Sequence, residues 1–194
     1  REEMAGVSNV IAATLEANRD VTEAAAKAFA ASPTMVWLGS GPSFGTAMFS
    51  AAKVVEAAGQ FAVGQDLEEW AHVERFIYPD EMPTFIIAPP GRSYGRAADL
   101  ARQAKEMGRR IVAVVDSNDN EIAPLADFVF PIVGSVREEF SPMVYHLPAN
   151  LFASHLATTL GRKLFQSDTP RRMAELAAYT AAMTNTATQS QASH

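Results

Sequence analysis

Apolar and polar residues follow two different periods along this chain, and the switches between them mark its elements. From residue 2 to 31 the apolar positions fall three or four apart (Val7, Val10, Ile11, Leu15, then Val21, Ala25, Phe29), which predicts a helix or a helix pair. Ser32-Pro33 ends it, because a residue preceding proline is pushed out of the helical region. "TMVWLG" at 34–39 is a short continuous apolar run, read as a buried strand that opens into "GSGPSFG"; residues 44–58 return to helical spacing and Gly59 stops them. "FAVGQ" is a second strand, after which Asp66 and Glu69 have the spacing of a capping box for a short helix through His72. "TFIIAP" is a third strand, "PPGRSYG" its loop, and 94–107 a helix ended at Gly108. "RIVAVVD" is the fourth strand, "SNDNE" a turn, "DFVFPIV" the fifth strand, and 138–160 mostly helix despite Pro142 and Pro148. The polar end "TNTATQSQASH" is expected to be disordered.

Short apolar strands alternating with amphipathic helices predict crossover connections and a parallel sheet covered on both faces. The fold expected is a three-layer α/β/α sandwich with a five-stranded parallel sheet. It occupies residues 34–165, preceded by a helical segment, 1–33, and followed by a tail, 166–194, that is partly helical. A length of 194 residues suits one such domain. In these sheets ligands sit at the carboxyl ends of the strands, where "GSGPSFG", "GQD", "PPGRSYG" and "DSNDN" fall.

Composition narrows the function classes. A formal charge of -6 lacks the basic footprint of a nucleic-acid binder. No apolar run approaches the ~20 residues that span a bilayer, so no membrane partner is expected. Without cysteine there are no disulfides, thiolate zinc sites or cysteine nucleophiles, and a cytoplasmic location fits. The chain opens on Arg1 inside a helical pattern, as expected of a fragment or a processed protein.

The chemistry-bearing residues each have a bland reading as well. In the glycine turn, Gly39 and Gly41 let backbone amides face inward, Ser40 and Ser43 add hydroxyls, and the helix that follows offers a positive dipole end; this fits an anion such as phosphate, or a purely structural turn. The turn lacks a Walker ending, and its glycine spacing misses the dinucleotide fingerprint by one position, so no cofactor is expected. Lys53 and Glu56 share a helix face, as a surface ion pair also does. Glu69 and His72 share another, where Glu69 reads equally as a cap and His72 as a partly buried histidine. Arg92 and Ser93 hold an anion or simply bound a turn. Trp37 and Trp70 read as core or rim packing. With a single histidine in that segment and no H-E-x-x-H pattern, a metal site is unexpected.

Three markers in order carry a resemblance: "LGSGPSFGTAMFSAAKVVEAAG", then "EWAH", then "SDTPRRMAE". Over about Trp37 to Glu175 the chain resembles the flavodoxin-like sugar isomerase (SIS) domain family, most closely the second SIS domain of glucosamine-6-phosphate synthase-like isomerases and deaminases. The resemblance implies that Glu56 is the base moving a proton between neighbouring sugar carbons, that Lys53 stabilises the enediolate oxygen or orients Glu56, and that His72 assists ring opening, often across a subunit interface. It implies ligand contacts from Ser40, Gly41, Ser43, Glu69, Arg92 and Ser93. It also implies a partner, either a homodimer mate or a second SIS domain. Phe49 stands where the synthase has a further carboxylate, Glu175 where it has a lysine, and "PPGRSYG" where many such domains have a hydroxyl-rich phosphate loop. The expected function is a phosphosugar-binding domain of a sugar-phosphate isomerase or an amino-sugar-phosphate deaminase or deglycase, working by enediol or enolamine proton transfer. The alternatives are a non-catalytic sugar-phosphate sensor and a nucleotide-binding domain using Asp66.

Overall fold

The computed structural model of the chain describes residues 2–191, with side chains over 6–181. Helix α1 (Glu2–Phe29) leads into β1 (Thr34–Gly39), α2 (Pro42–Ala58), β2 (Phe61–Asp66) and α3 (Leu67–His72). Then follow β3 (Pro83–Ala88), α4 (Tyr94–Glu106), β4 (Arg110–Asp116), β5 (Phe128–Ile132), α5 (Pro142–Tyr145), α6 (Leu147–Thr159) and α7 (Pro170–Gln191). All five strands are parallel, in the order β2-β1-β3-β4-β5, so the chain reverses its winding direction at β1 and β3.

The strands alternate between two cores because successive side chains point to opposite faces. Trp37, Phe85, Val112, Val114 and Phe130 face α1, α2 and α6, while Val36, Leu38, Ile86 and Ala113 face α3 and α4. Trp37 stacks on Phe85 at 3.8 Å, with Phe152 of α6 edge-on at 6.0 Å. Fully burying a large apolar side chain contributes about 1.5–3 kcal/mol, so this aromatic stack is a principal anchor of α6. Trp37 and Trp70 are both core residues.

Two glycines set how closely α2 approaches the sheet. A Cβ on Gly39 would meet the Ser43 backbone oxygen at 2.3 Å, and one on Gly64 would meet Met48 Cα at 2.4 Å. The far end of α2 is closed by Gly59, whose positive φ of 61° lets its N–H reach the Val55 carbonyl at 3.0 Å. Arg162 then donates to the Ala58 carbonyl at 2.6 Å, a cation where the helix dipole is negative. Arg109, 2% exposed, donates at 2.8 Å to each of the carbonyls of Arg75, Ile77 and Pro79. It supplies the donors that this irregular segment after α3 lacks.

Pro142 and Pro148 lie in the first turns of α5 and α6, where no amide donor is needed. They divide the expected 138–160 helix into a 3-10 turn, Glu138–Phe140, and two helices. Residues 184–191, expected to be disordered, continue α7, whose described side chains are exposed; 192–194 lie outside the described residues. Among the described residues no helix is long and apolar enough to cross a membrane.

Candidate functional site

The glycine turn lies at the carboxyl end of β1, where the winding reverses. Gly41 takes φ 57°, ψ -130°, a conformation that favours glycine. Pro42 has no N–H, Ser43 N–H donates to the Ser40 carbonyl at 3.2 Å, and Phe44 N–H donates to the Gly41 carbonyl at 3.1 Å. The turn thus consumes amides that a bound anion would need. Ser40 is half-buried, Gly41 exposed, and the Ser43 hydroxyl buried with no hydrogen-bond partner.

Across the reversal point, the loop after β3 is filled from within the chain. The Glu138 carboxylate accepts from Arg92 N–H at 3.1 Å and lies where a Cβ on Gly91 would sit. The Arg92 side chain is exposed and Ser93 half-buried. A cleft of about 320 Å³ beside this loop is lined by Gly91, Tyr94, Asp116, Asn118 and Asp119. Tyr94 donates its phenol to Asp119, and burial followed by that carboxylate pushes the phenol's pKa well up. Burial, then the charges of Asp116 and Asp119, does the same to Tyr145. With three carboxylates around it, this crevice repels a phosphate rather than attracting one.

On the opposite face of the sheet, α3 packs through Leu67, Trp70 and Ala71. Asp66 caps it by accepting from Glu68 N–H at 2.9 Å, but the box is left half-made: Asp66 N–H donates to Gln65 Oε1 at 2.8 Å, and Glu69 is exposed. Glu68 is gripped by Arg96 through Nε and Nη2. That hydrogen bonding, the arginine's charge and the nearby His72 hold its carboxyl below the usual carboxylate range, against a smaller opposing effect of burial. His72 ends the helix, exposed rather than partly buried.

Lys53 and Glu56 come together on α2 at 2.5 Å, with side chains 34% and 42% exposed. Lys53 Nζ lies 5.0 Å from the Phe49 ring centroid, a cation–π contact on the same helix face. A groove of about 420 Å³ runs there between α2 and α6, lined by Phe49, Lys53, Glu56, Asn150, Ser154 and Phe165. On the other side of Glu56 a cleft of about 430 Å³ leads to Arg171, Arg172 and Glu175. The two arginines pair with Glu175 at 3.1 and 2.8 Å, and their hydrogen bonds, Arg172's first, lower its carboxyl pKa.

The fold therefore joins Lys53 to Glu56 and separates the other expected site residues from them. Glu56 and His72 belong to opposite layers. Ser43 and Glu56 are thirteen positions apart on α2, about 20 Å at 1.5 Å per residue, too far for one small sugar to touch both. His146 and Asn150, which are not among the expected site residues, also lie on the Glu56 side. Their signal was an i,i+4 spacing, obscured by the neighbouring prolines. Among the described residues, no group of three or more His, Cys, Asp or Glu side chains is placed to hold a metal ion.

A doubly wound parallel sheet with an ion pair displayed beside an open groove defines an α/β domain with a candidate small-molecule site. Family comparison makes this specific: the SIS domain model matches residues 28–160, and the chain belongs to that family. The glutamine–fructose-6-phosphate aminotransferase (isomerizing) of a Nostoc species is 30% identical over 165 residues, covering 85% of this chain and 26% of that protein. The chain thus spans about a quarter of that relative's length. Among solved structures, the C-terminal domain of glucosamine-fructose-6-phosphate aminotransferase from Francisella tularensis aligns with a TM-score of 0.70 and 18% identity, over 82% of this chain and 44% of that one. The sugar isomerase domain of an RpiR transcription factor from Sphaerobacter thermophilus aligns at 0.66 and 18%, over 82% of this chain and 90% of that one.

Proposed function

We propose that this domain supplies the proton-transfer half of a phosphosugar site that a second SIS domain completes, in the same polypeptide or in a second copy. The reaction is an aldose–ketose isomerisation or an amino-sugar-phosphate deamination or deglycation through an enediol or enolamine. The observation that carries this is the Lys53–Glu56 pair, half-exposed on the open face of α2 and remote from the chain's own glycine turn. Glu56 takes a proton from one of two adjacent sugar carbons and returns it to the other. Lys53 offsets the negative charge that develops on the oxygen between these steps. The acidic crevice beside Arg92 disfavours phosphate on this domain, so the partner domain grips the phosphate. His72, on the far layer, serves a neighbouring site.

Glu56→Gln tests the reading in the full-length protein. Steady-state assays over a panel of hexose and hexosamine 6-phosphates are expected to show kcat lowered by about 10²–10⁴-fold, the usual contribution of a positioned base. Turnover equal to the parent on every accepted sugar overturns it. A second reading, a sugar-phosphate sensor, is supported by the near-complete overlap with the single-domain Sphaerobacter fragment. Micromolar calorimetric binding by a protein that turns over none of the panel favours that one.

A further inference from the structure

Phe49 is 40% exposed on α2, so burial in the core does not account for a large ring there. Its neighbours do. Lys53, one turn further along the helix, has Nζ 5.0 Å from the Phe49 ring centroid and 2.5 Å from the Glu56 carboxylate. On the other side the His146 ring meets Phe49 edge to face, at 5.2 Å and 87°. His146 is itself tied down, its Nδ1 lying 2.8 Å from the Pro142 carbonyl oxygen. A row of contacts thus runs from the start of α6 through Phe49 to Lys53 and Glu56, and the last three residues line one groove.

An ordinary surface pair on the same chain shows what the ring changes. Lys27 and Glu23 meet at 2.6 Å on α1 with side chains 64% and 47% exposed, and water competes for both ends. The Lys53 side chain is only 34% exposed. A lysine stem is flexible, and its ammonium acts at a fixed point only if something holds the stem. A carboxylate at position 49 would also attract the ammonium, but it would draw it away from Glu56 and add a negative charge to the groove. An aromatic face attracts the cation through its quadrupole and adds no net charge. Lys53 and Glu56 then cancel, and an oxyanion forming beside them meets no surplus negative charge.

We propose that Phe49 is a positioning residue: its ring, braced by His146, holds the Lys53 ammonium where charge develops on the substrate oxygen. This rests on the reading of Lys53 and Glu56 given above. Phe49 acts through Lys53, not on the reacting atoms. The oxyanion exists only during proton transfer, so the contribution falls on kcat and leaves KM alone.

The first arm of the test needs no substrate. The chain has four lysines, Lys27, Lys53, Lys105 and Lys163, so carbon-13 labelling at the ε carbon gives separable signals. The ring current is expected to move the Lys53 ε-methylene protons upfield of the others in the parent and in Phe49→Tyr, and to be lost in Phe49→Leu. A Lys53 signal that Phe49→Leu leaves in place overturns the proposal. The second arm measures kcat and KM of the full-length protein on the hexose and hexosamine 6-phosphates. Phe49→Leu is expected to lower kcat about two- to fivefold at unchanged KM, and Phe49→Tyr to keep the parent value. In a Lys53→Met background, Phe49→Leu is expected to have no further effect. The same loss with and without Lys53 means that the ring acts by packing, and it overturns the proposal. Where no sugar phosphate is turned over, the first arm decides alone. Glu56→Gln on the same sugars separates the two readings: unchanged turnover removes the role of Glu56, while the lysine spectra still decide whether Phe49 holds Lys53.

Discussion

Arg109 illustrates how much one side chain does for the segment that follows His72. Its guanidinium meets three backbone carbonyls while almost wholly removed from water. Replacing it with methionine keeps the bulk and deletes the donors, leaving buried acceptors unpaired. A loss on the order of 2–4 kcal/mol is expected, read as a lower urea midpoint, with faster amide exchange confined to residues 73–80. An unchanged midpoint means that solvent replaces these bonds at no cost, and the segment is then no fixed platform for His72. The same logic explains why exposed pairs such as Arg19–Glu16, at 2.8 Å, contribute little: water competes for both partners.

Helix α2 carries the candidate site, and its seating depends on missing side chains beneath it. Gly64→Ala places a methyl 2.4 Å from Met48 Cα. This overpacking is expected to cost about 1–3 kcal/mol and to lower turnover as well, because Lys53 and Glu56 ride on the displaced helix. Gly45→Ala is the opposite case. Its methyl meets nothing within 4 Å, and the gain in helix propensity, about 0.5–1 kcal/mol, is expected to raise the thermal midpoint. The two variants are predicted to move it in opposite directions; shifts of the same sign would dissociate α2 seating from stability. At this scale the sequence was legible wherever burial is continuous. β3 and β4 are apolar runs buried along nearly their whole length, and their limits were readable to within a residue or two. What escaped were relations between distant residues. No local pattern reports that Glu138 sits on Gly91, 47 positions away, or that α2 and α3 lie on opposite faces of the sheet. His146 was hidden for a related reason, since Pro142 and Pro148 broke the period that would have placed it beside Phe49.

For the whole molecule, the open face of α2 is the feature that calls for a partner. Val55 is 46% exposed and Phe165 52%, beside a pair of charges too exposed to exclude water alone, and Met48, 54% exposed, lies on the adjoining flank of α2. If a second SIS domain covers this face, Met48→Glu introduces an unpaired buried charge there. The expected outcome is at least a tenfold weaker association in sedimentation equilibrium, with the thermal midpoint of the separated chain unchanged. Equal association by variant and parent places the contact elsewhere. The clamping of α2 has a further consequence. Gly39 and Gly64 hold its first half to the sheet, and Gly59 with Arg162 closes its end, so the helix has no slack with which to mould itself around a visitor. Little protein entropy remains to be lost on binding. Discrimination among sugars then rests on the strain and desolvation each ligand must bear to match a fixed template.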